Sequence, residues 1–522
     1  MSLRMWTYDL AREQSPSYDQ LSNFCTLSLD AGYSAFGIYM EHRFAFPSIP
    51  WVHGEGSVTA ETIKRLQKEF PSLQIIPFIN LLGHMEGFLY TEEGQQFAES
   101  RFEGMQACPS NPHFFKLCEK IVDDTLSVFD SEIIHLGGDE TWQLGQCPKC
   151  SARVAQFEKV AGIDGKAQIY GEHFGVLAKT VSAAGRRPAV WGDMFLTHPT
   201  ALDLMPKNTL IFDWQYFNGP SETSRLFIDK GFEVVFCPTL HTYNATWLHL
   251  PQSEQNVRQH AKAAHEMNAY GVCVTTWECG LMGNYETILP AIKGAGRLLQ
   301  NPGSSPDTTD YKELREAPVF LKAYLDQSER YEEWARLLGC ELQDAGGMFE
   351  FTGIRSSLKA RLLLYSNPFL LWLRNCEDLC GEPGDKALDI FQRAIAFAPD
   401  ASSRGIAEFG RGAIEFVRFA EAAHKAYAEG EVGKAIAAIT PARQTFENLG
   451  RTAKATHYRG GSAADIERCR IAREHVDLVI RRIKQYGDGS LGYIPSFEML
   501  THPKFVPHDQ AGWWLINRWA NE

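Results

Sequence analysis

Asp139 and Glu140 stand side by side after the apolar run Ile133-Ile134-His135-Leu136, joined to it by Gly137-Gly138 and followed by Thr141-Trp142. Two neighbouring carboxyls in one dry cleft do not both ionise easily, so one of their pKa values is expected to rise. A carboxylic acid that keeps its proton beside an ionised carboxylate is the pair that cleavage of a glycosidic bond needs. The two glycines let the backbone bend tightly and let a ligand approach. On the pair alone, a strand-to-loop turn carrying solvated acids accounts for the same residues. The surroundings must decide.

Cys147-Pro148-Lys149-Cys150 has the one spacing that resembles a metal motif. A structural zinc site needs four ligands, and no second C-x-x-C or paired histidine answers this one. A pair of free thiols is therefore the expectation, and neither a metal nor an organic cofactor is expected. Cys376 and Cys380 lie far along the chain at helical spacing. No phosphate-cradling P-loop, Ser-His-Asp signal or H-E-x-x-H pair is present.

The acids need a scaffold, and the first 300 residues supply one. Short apolar runs alternate there with longer helical patterns. The expected strands are Met5–Asp9, Ala35–Met40, Gln74–Ile79, Ile133–Leu136, Pro188–Trp191, Leu210–Trp214, Glu233–Phe236 and Val272–Thr276. Helical patterns such as Asn111–Phe129, Gln168–Ala184 and Glu254–Met267 lie between them. This alternation predicts a (β/α)₈ TIM barrel, whose function sits at the carboxyl ends of its strands. An open doubly wound sheet is the alternative, but no glycine-rich dinucleotide fingerprint follows the first strand.

Composition changes at Asn301–Asp310, a Pro/Gly/Ser/Asp stretch that reads as a linker. Beyond it the strand signal fades, and residues 311–338, 353–378, 385–398, 403–429, 432–450 and 463–486 show helical periodicity. The expected organisation is a barrel domain over 1–303 and a mostly α-helical domain over 311–522. The aromatic tail Ala511–Ala520 has the composition of a docking segment.

With 522 residues the chain is long enough for two or three domains. A formal net charge of −13, without a basic stretch, argues against a nucleic-acid partner. No apolar run is long enough to span a bilayer, and the N-terminal residues do not read as a signal peptide. The 12 cysteines show no disulfide spacing, so a reducing, cytoplasmic setting is expected.

The string His135-Leu136-Gly137-Gly138-Asp139-Glu140 resembles the signature of glycoside hydrolase family 20, the β-N-acetylhexosaminidases. Tyr8-Asp9-Leu10-Ala11-Arg12 is similar to that family's first-strand D-x-x-R, and Cys108-Pro109-Ser110-Asn111-Pro112 to its approach to the fourth strand. Gly83-His84 is similar to the family's P-G-H, with Leu82 in place of the proline. Trp191, Trp214, Tyr243 and the pair Trp277-Glu278 fall where the family has its pocket aromatics and acid. The resemblance covers roughly residues 1–300.

That resemblance implies an exo-acting, retaining enzyme that removes terminal N-acetylhexosamine from a glycan or glycoconjugate. The substrate's own acetamido oxygen attacks the anomeric carbon. Glu140 is then the general acid and base, and Asp139 orients and stabilises the cyclising acetamide. Tyr243 donates to the acetamido oxygen, while Trp191, Trp214 and Trp277 wall the pocket. Arg12 and Glu278 hold ring hydroxyls, and His84 is a proton partner behind the acids. Glu41 stands where the family has an acid at its second strand, and equally fits a solvated loop. This sequence departs from the family at Ala245, where an acid is usual, and in having Trp277 directly beside Glu278. Two other readings remain: a conventional retaining glycosidase with Glu278 as nucleophile, and a glycan-binding barrel without turnover.

Overall fold

The computed structural model describes residues 1–12, 14–100, 104–240, 246–277, 282, 285–302, 316–342, 362–365, 367–456 and 464–501. The strands are β1 (Leu3–Asp9), β2 (Ala35–Tyr39), β3 (Gln74–Phe78), β4 (Ile133–His135), β5 (Arg187–Trp191), β6 (Leu210–Trp214), β7 (Glu233–Cys237), the two-residue β8 (Thr239–Leu240) and β9 (Gly271–Thr276). All pair in parallel, and β1 bonds both β2 and β9, closing the ring. The expected (β/α)₈ barrel is therefore the observed fold, with β8 as a short extension that pairs with β9.

Alternation along each strand explains why these segments close on themselves. Successive side chains point to opposite faces. Leu3 and Met5 of β1, Ile76 and Phe78 of β3, Ala189 and Trp191 of β5, and Leu210 and Phe212 of β6 meet in one buried cluster. The alternate residues Trp6 and Tyr8 of β1 pack instead against Phe24 of the helix Tyr18–Asp30. Helix starts follow from local chemistry. Ser17 forms a capping box with Gln20, and Asn111 caps the helix Pro112–Val128, which has proline in its first turn.

The chain divides into two compact units. The first comprises Met1–Tyr243, Leu248–Cys279 and Ile288–Ser328, and the second Asn244–Trp247, Gly280–Thr287 and Glu329–Glu522. The first runs past the expected boundary at 303, where the helix Pro318–Leu325 packs on the helix Leu289–Gln300 and is further held by one buried carboxylate. Glu254 is 2% exposed and accepts the N–H groups of Val319 and Phe320 at 3.0 and 2.8 Å. These are unpaired donors at the start of the helix Pro318–Leu325, which is thereby tied to the helix Leu250–Glu266. Most of the expected linker lies outside the described residues, as does the tail Ala511–Ala520.

The second unit is helical. Its long helix Ala401–Ala428 begins with a capping box between Asp400 and Ser403. The helices Pro368–Cys380, Glu382–Phe397 and Pro441–Thr456 pack against it. No helix among the described residues is long and apolar enough to cross a membrane.

Candidate active site

The carboxyl ends of five strands converge on Asp139 and Glu140. At the exit of β4, Gly137 and Gly138 have φ of 77° and 104°, where side chains are strained. A Cβ at Gly137 would lie 2.7 Å from the Ile79 carbonyl, and one at Gly138 2.6 Å from the Tyr170 hydroxyl. That hydroxyl donates to the Gly138 carbonyl at 2.7 Å. The buried His135 at the end of β4 is driven towards its neutral form by desolvation, and its Nδ1 accepts the Gly137 N–H at 3.1 Å. The turn is thus fixed from both sides before the acids appear.

The loop after β3 lies against this turn. A Cβ at Gly83 would lie 2.3 Å from the Asp139 carbonyl, so only glycine permits the approach. His84 Nε2 consequently sits 3.3 Å from Asp139 Oδ2 and 3.2 Å from Glu140 Oε2. Burial alone would lower the His84 pKa. The Asp139 charge and hydrogen bonds to both acids outweigh it and hold the pKa well above the ordinary histidine value. An imidazolium held between the two side chains fixes their orientation.

Glu41, at the exit of β2, is buried and pairs with Arg12 at 3.2 Å. Burial pushes its carboxyl up to about 7, against the pull of Arg12 and His84. Arg12 also lies 3.5 Å from Asp9 at the exit of β1 and over the ring of Tyr39. Asn80 links this corner to the next, donating to the Tyr39 hydroxyl at 2.6 Å and to the His84 carbonyl at 3.3 Å.

Five non-glycine residues among those described have positive φ, and three of them are Glu41, His84 and Glu140. They occupy equivalent places after β2, β3 and β4. Left-handed backbone at bulky residues costs energy, and clusters of it mark sites whose geometry is imposed by function.

Trp191 is 1% exposed and packs on Phe78, His135 and Phe212, so it forms the floor of the barrel mouth. Trp277 lies above it, with ring centroids 6.0 Å apart, and meets Tyr39 edge-on at 5.0 Å. Its indole donates to the Tyr216 hydroxyl at 2.6 Å, and Tyr216 in turn packs on Trp214 at 5.1 Å. One aromatic wall therefore joins Trp191, Trp277, Tyr39, Tyr216 and Trp214. Tyr243 and Glu278 lie outside the described residues.

Residues 72–293, which include the whole β4 turn, match the family model for the glycosyl hydrolase family 20 catalytic domain. That match spans 222 of the 522 residues and lies within the barrel. A β-hexosaminidase of Vibrio furnissii is 23% identical over 188 residues, which is 33% of this chain and 28% of the relative. The chain thus spans under a third of the length of that curated relative. Among solved structures, the chitobiase of Flavobacterium johnsoniae is 14% identical with a TM-score of 0.48, covering 95% of this chain and 74% of that one. A β-N-acetylhexosaminidase of Bacteroides fragilis is 15% identical with a TM-score of 0.47, covering 62% and 71%.

Within this barrel mouth, Asp193 was not singled out from the sequence. It follows β5 by two residues, in Trp191-Gly192-Asp193, and its Oδ2 accepts the Glu140 N–H at 2.9 Å. Burial, then the charge of Asp139, pushes Asp193 up to about 8. This third acid shows the rise expected where carboxyls crowd together. The available signal was its position at a strand exit, the same rule that singled out Asp139.

Asp193 and Glu41 together predict a pH dependence of stability. In an unfolded chain such carboxyls lose their protons near pH ~4, whereas here they hold them to about 8 and about 7. Between those limits the folded chain binds more protons than the unfolded one, so stability falls as pH rises. The thermal midpoint should drop between roughly pH 5 and 9, and Asp193→Asn, which cannot ionise, should flatten the upper part of that drop. An unchanged slope in the variant would show that Asp193 ionises as an ordinary acid.

Proposed function

We propose that this barrel is an exo-acting, retaining β-N-acetylhexosaminidase that works through its substrate's own acetamido group. The observation that carries the reading is the environment of Asp139. Its Oδ2 faces His84, while its Oδ1 is buried and has no hydrogen-bond donor among the described residues. A buried acceptor left unmatched is costly, and the N–H of a bound 2-acetamido group is a donor of the required kind. The aromatic wall of Trp191 and Trp277 suits the methyl group of that acetamide.

In this reading the acetamido oxygen attacks the anomeric carbon while Glu140 gives its proton to the departing glycosidic oxygen. The C–O bond to the aglycone breaks and an oxazolinium ion forms, with its positive charge opposite Asp139. Water then attacks the anomeric carbon from the vacated face, and Glu140 takes the water's proton. Two inversions at one carbon give retention. Substrates are glycans or glycoconjugates that end in N-acetylhexosamine, and Arg12 and Glu278 are proposed to hold ring hydroxyls. No enzyme nucleophile is required.

A stable thiazoline analogue of the oxazolinium ion tests this. It should bind far more tightly than N-acetylglucosamine in inhibition assays, because it reproduces the shape and charge of the intermediate. Glu278→Gln should leave the requirement for a 2-acetamido group intact. Indifference to the thiazoline, with a 2-fluoro sugar adduct on the Glu278 peptide by mass spectrometry, would establish conventional double displacement instead. Binding of N-acetylglucosamine without turnover of any aryl glycoside would indicate a glycan-binding barrel.

A further inference from the structure

Behind the catalytic turn, Cys147 and Cys150 are joined by two residues distant in sequence, Cys108 and Glu99. One ligand atom from each of the four lies within 4.8 Å of all the others. The sulfurs of Cys108 and Cys147 are 3.4 Å apart, those of Cys108 and Cys150 are 3.6 Å apart, and Cys150 Sγ is 3.3 Å from Glu99 Oε2. A tetrahedral zinc ion with Zn–S near ~2.3 Å and Zn–O near ~2.1 Å places its sulfurs about 3.8 Å apart and sulfur and oxygen about 3.6 Å apart. These three edges lie within a few tenths of an ångström of the tetrahedral values, and the others lie within 4.8 Å. We propose that Glu99, Cys108, Cys147 and Cys150 form a structural zinc site.

The surroundings fit this assignment independently of the distances. Glu99 is 4% exposed and forms no ion pair with a basic side chain among the described residues. A buried carboxylate facing three sulfurs calls for a cation. Three thiolates with one carboxylate favour zinc over the harder calcium and magnesium. Backbone donors already orient the ligands: the Cys150 N–H points to Cys147 Sγ at 3.3 Å, and the Cys147 N–H to Glu99 Oε1 at 2.9 Å. Cys147 caps the helix Pro148–Phe157, whose positive end favours thiolate. Ser110 Oγ, held by Arg153 at 3.0 Å, lies 3.1 Å from Cys150 Sγ and supports it from outside.

The position gives the site its purpose. Glu99 and Cys108 each follow one partner of the bridge Ala98–Ala107 in the loop after β3, and Cys147 and Cys150 lie at the start of the helix that follows the loop after β4. Those two loops carry His84 on one side and Asp139 with Glu140 on the other. Zinc would clamp them at the separation that lets His84 reach both acids. It would act on hydrolysis through geometry, with no contact to substrate.

Metal analysis of the purified full chain by mass spectrometry should find one zinc per molecule, lost in Cys108→Ser and Cys150→Ser and kept in Cys376→Ala. Cobalt exchanged into the wild-type chain should give intense visible bands of tetrahedral thiolate coordination. This readout keeps the test decisive if the cysteine variants do not fold. Removing zinc with a chelator should lower the thermal midpoint, and restoring it should bring the midpoint back. Wild-type chain without zinc as purified and without the cobalt bands after loading would overturn the proposal. So would a disulfide from Cys108 to Cys147 or Cys150, seen as a mass two units lower before reduction.

Discussion

Glu140→Gln is expected to slow hydrolysis of N-acetylhexosaminides with poor leaving groups by about 10²–10⁴-fold, the usual worth of a positioned general acid. Activated aryl glycosides should lose far less in the first step, because their leaving groups depart with little protonation. The structure places Glu140 well for the role. Its side chain is 36% exposed, open to an incoming glycosidic oxygen, while His84 holds Oε2 and Asp193 holds its backbone. For activated substrates the second step should become limiting, since water then lacks a base. Azide needs no deprotonation, so adding it should restore turnover and yield a β-glycosyl azide. Steady-state rates across a leaving-group series measure the effect, and equal losses for good and poor leaving groups would remove Glu140 from the acid role.

The barrel was legible because its signals are local. Each of the eight strands lies within two residues of its expected place, and Leu210–Trp214 agrees at both ends. The alternation of buried side chains and the capped helices between strands leave few other arrangements. Glu140 and Asp139 were visible for the same reason, as paired acids after paired glycines at one strand end. The continuation of the first unit past residue 303 was less visible, because some contacts that hold it, such as Glu254 bonding a helix start some 65 residues away, join distant parts of the chain.

What the sequence hid was assembled from separate loops. Cys108 lies 39 residues before Cys147, and Glu99 lies 51 before Cys150, so no spacing rule joins them to the C-x-x-C pair. The expectation of free thiols rested on a search for a second cysteine pair, whereas the structure supplies a lone cysteine and a glutamate. His84 was expected behind the acids, but Gly83 brings its loop so close that the imidazole lies between them. Glu41 had two readings, loop acid or site acid. Its burial and its pairing with Arg12 favour the second. Trp191, expected as a pocket wall, is buried and forms the floor on which Trp277 rests.

Asp139→Asn should lower turnover by about 10²–10³-fold while changing the Michaelis constant much less, as expected for loss of one electrostatic stabiliser of a developing charge. The substitution keeps the shape of the side chain and removes two things. The negative charge that faces the forming oxazolinium disappears, and one acceptor oxygen is replaced by an NH₂ donor where the acetamide needs an acceptor. His84 also loses the charge that most raises its pKa, so it should titrate closer to the ordinary histidine range. The pH profile of the residual activity should therefore change shape as well as height. Initial rates with an aryl N-acetylglucosaminide across pH, at saturating and at low substrate, separate these effects. Normal turnover with a large rise in the Michaelis constant would make Asp139 a binding residue alone, and the acetamide would then have to be activated by another group.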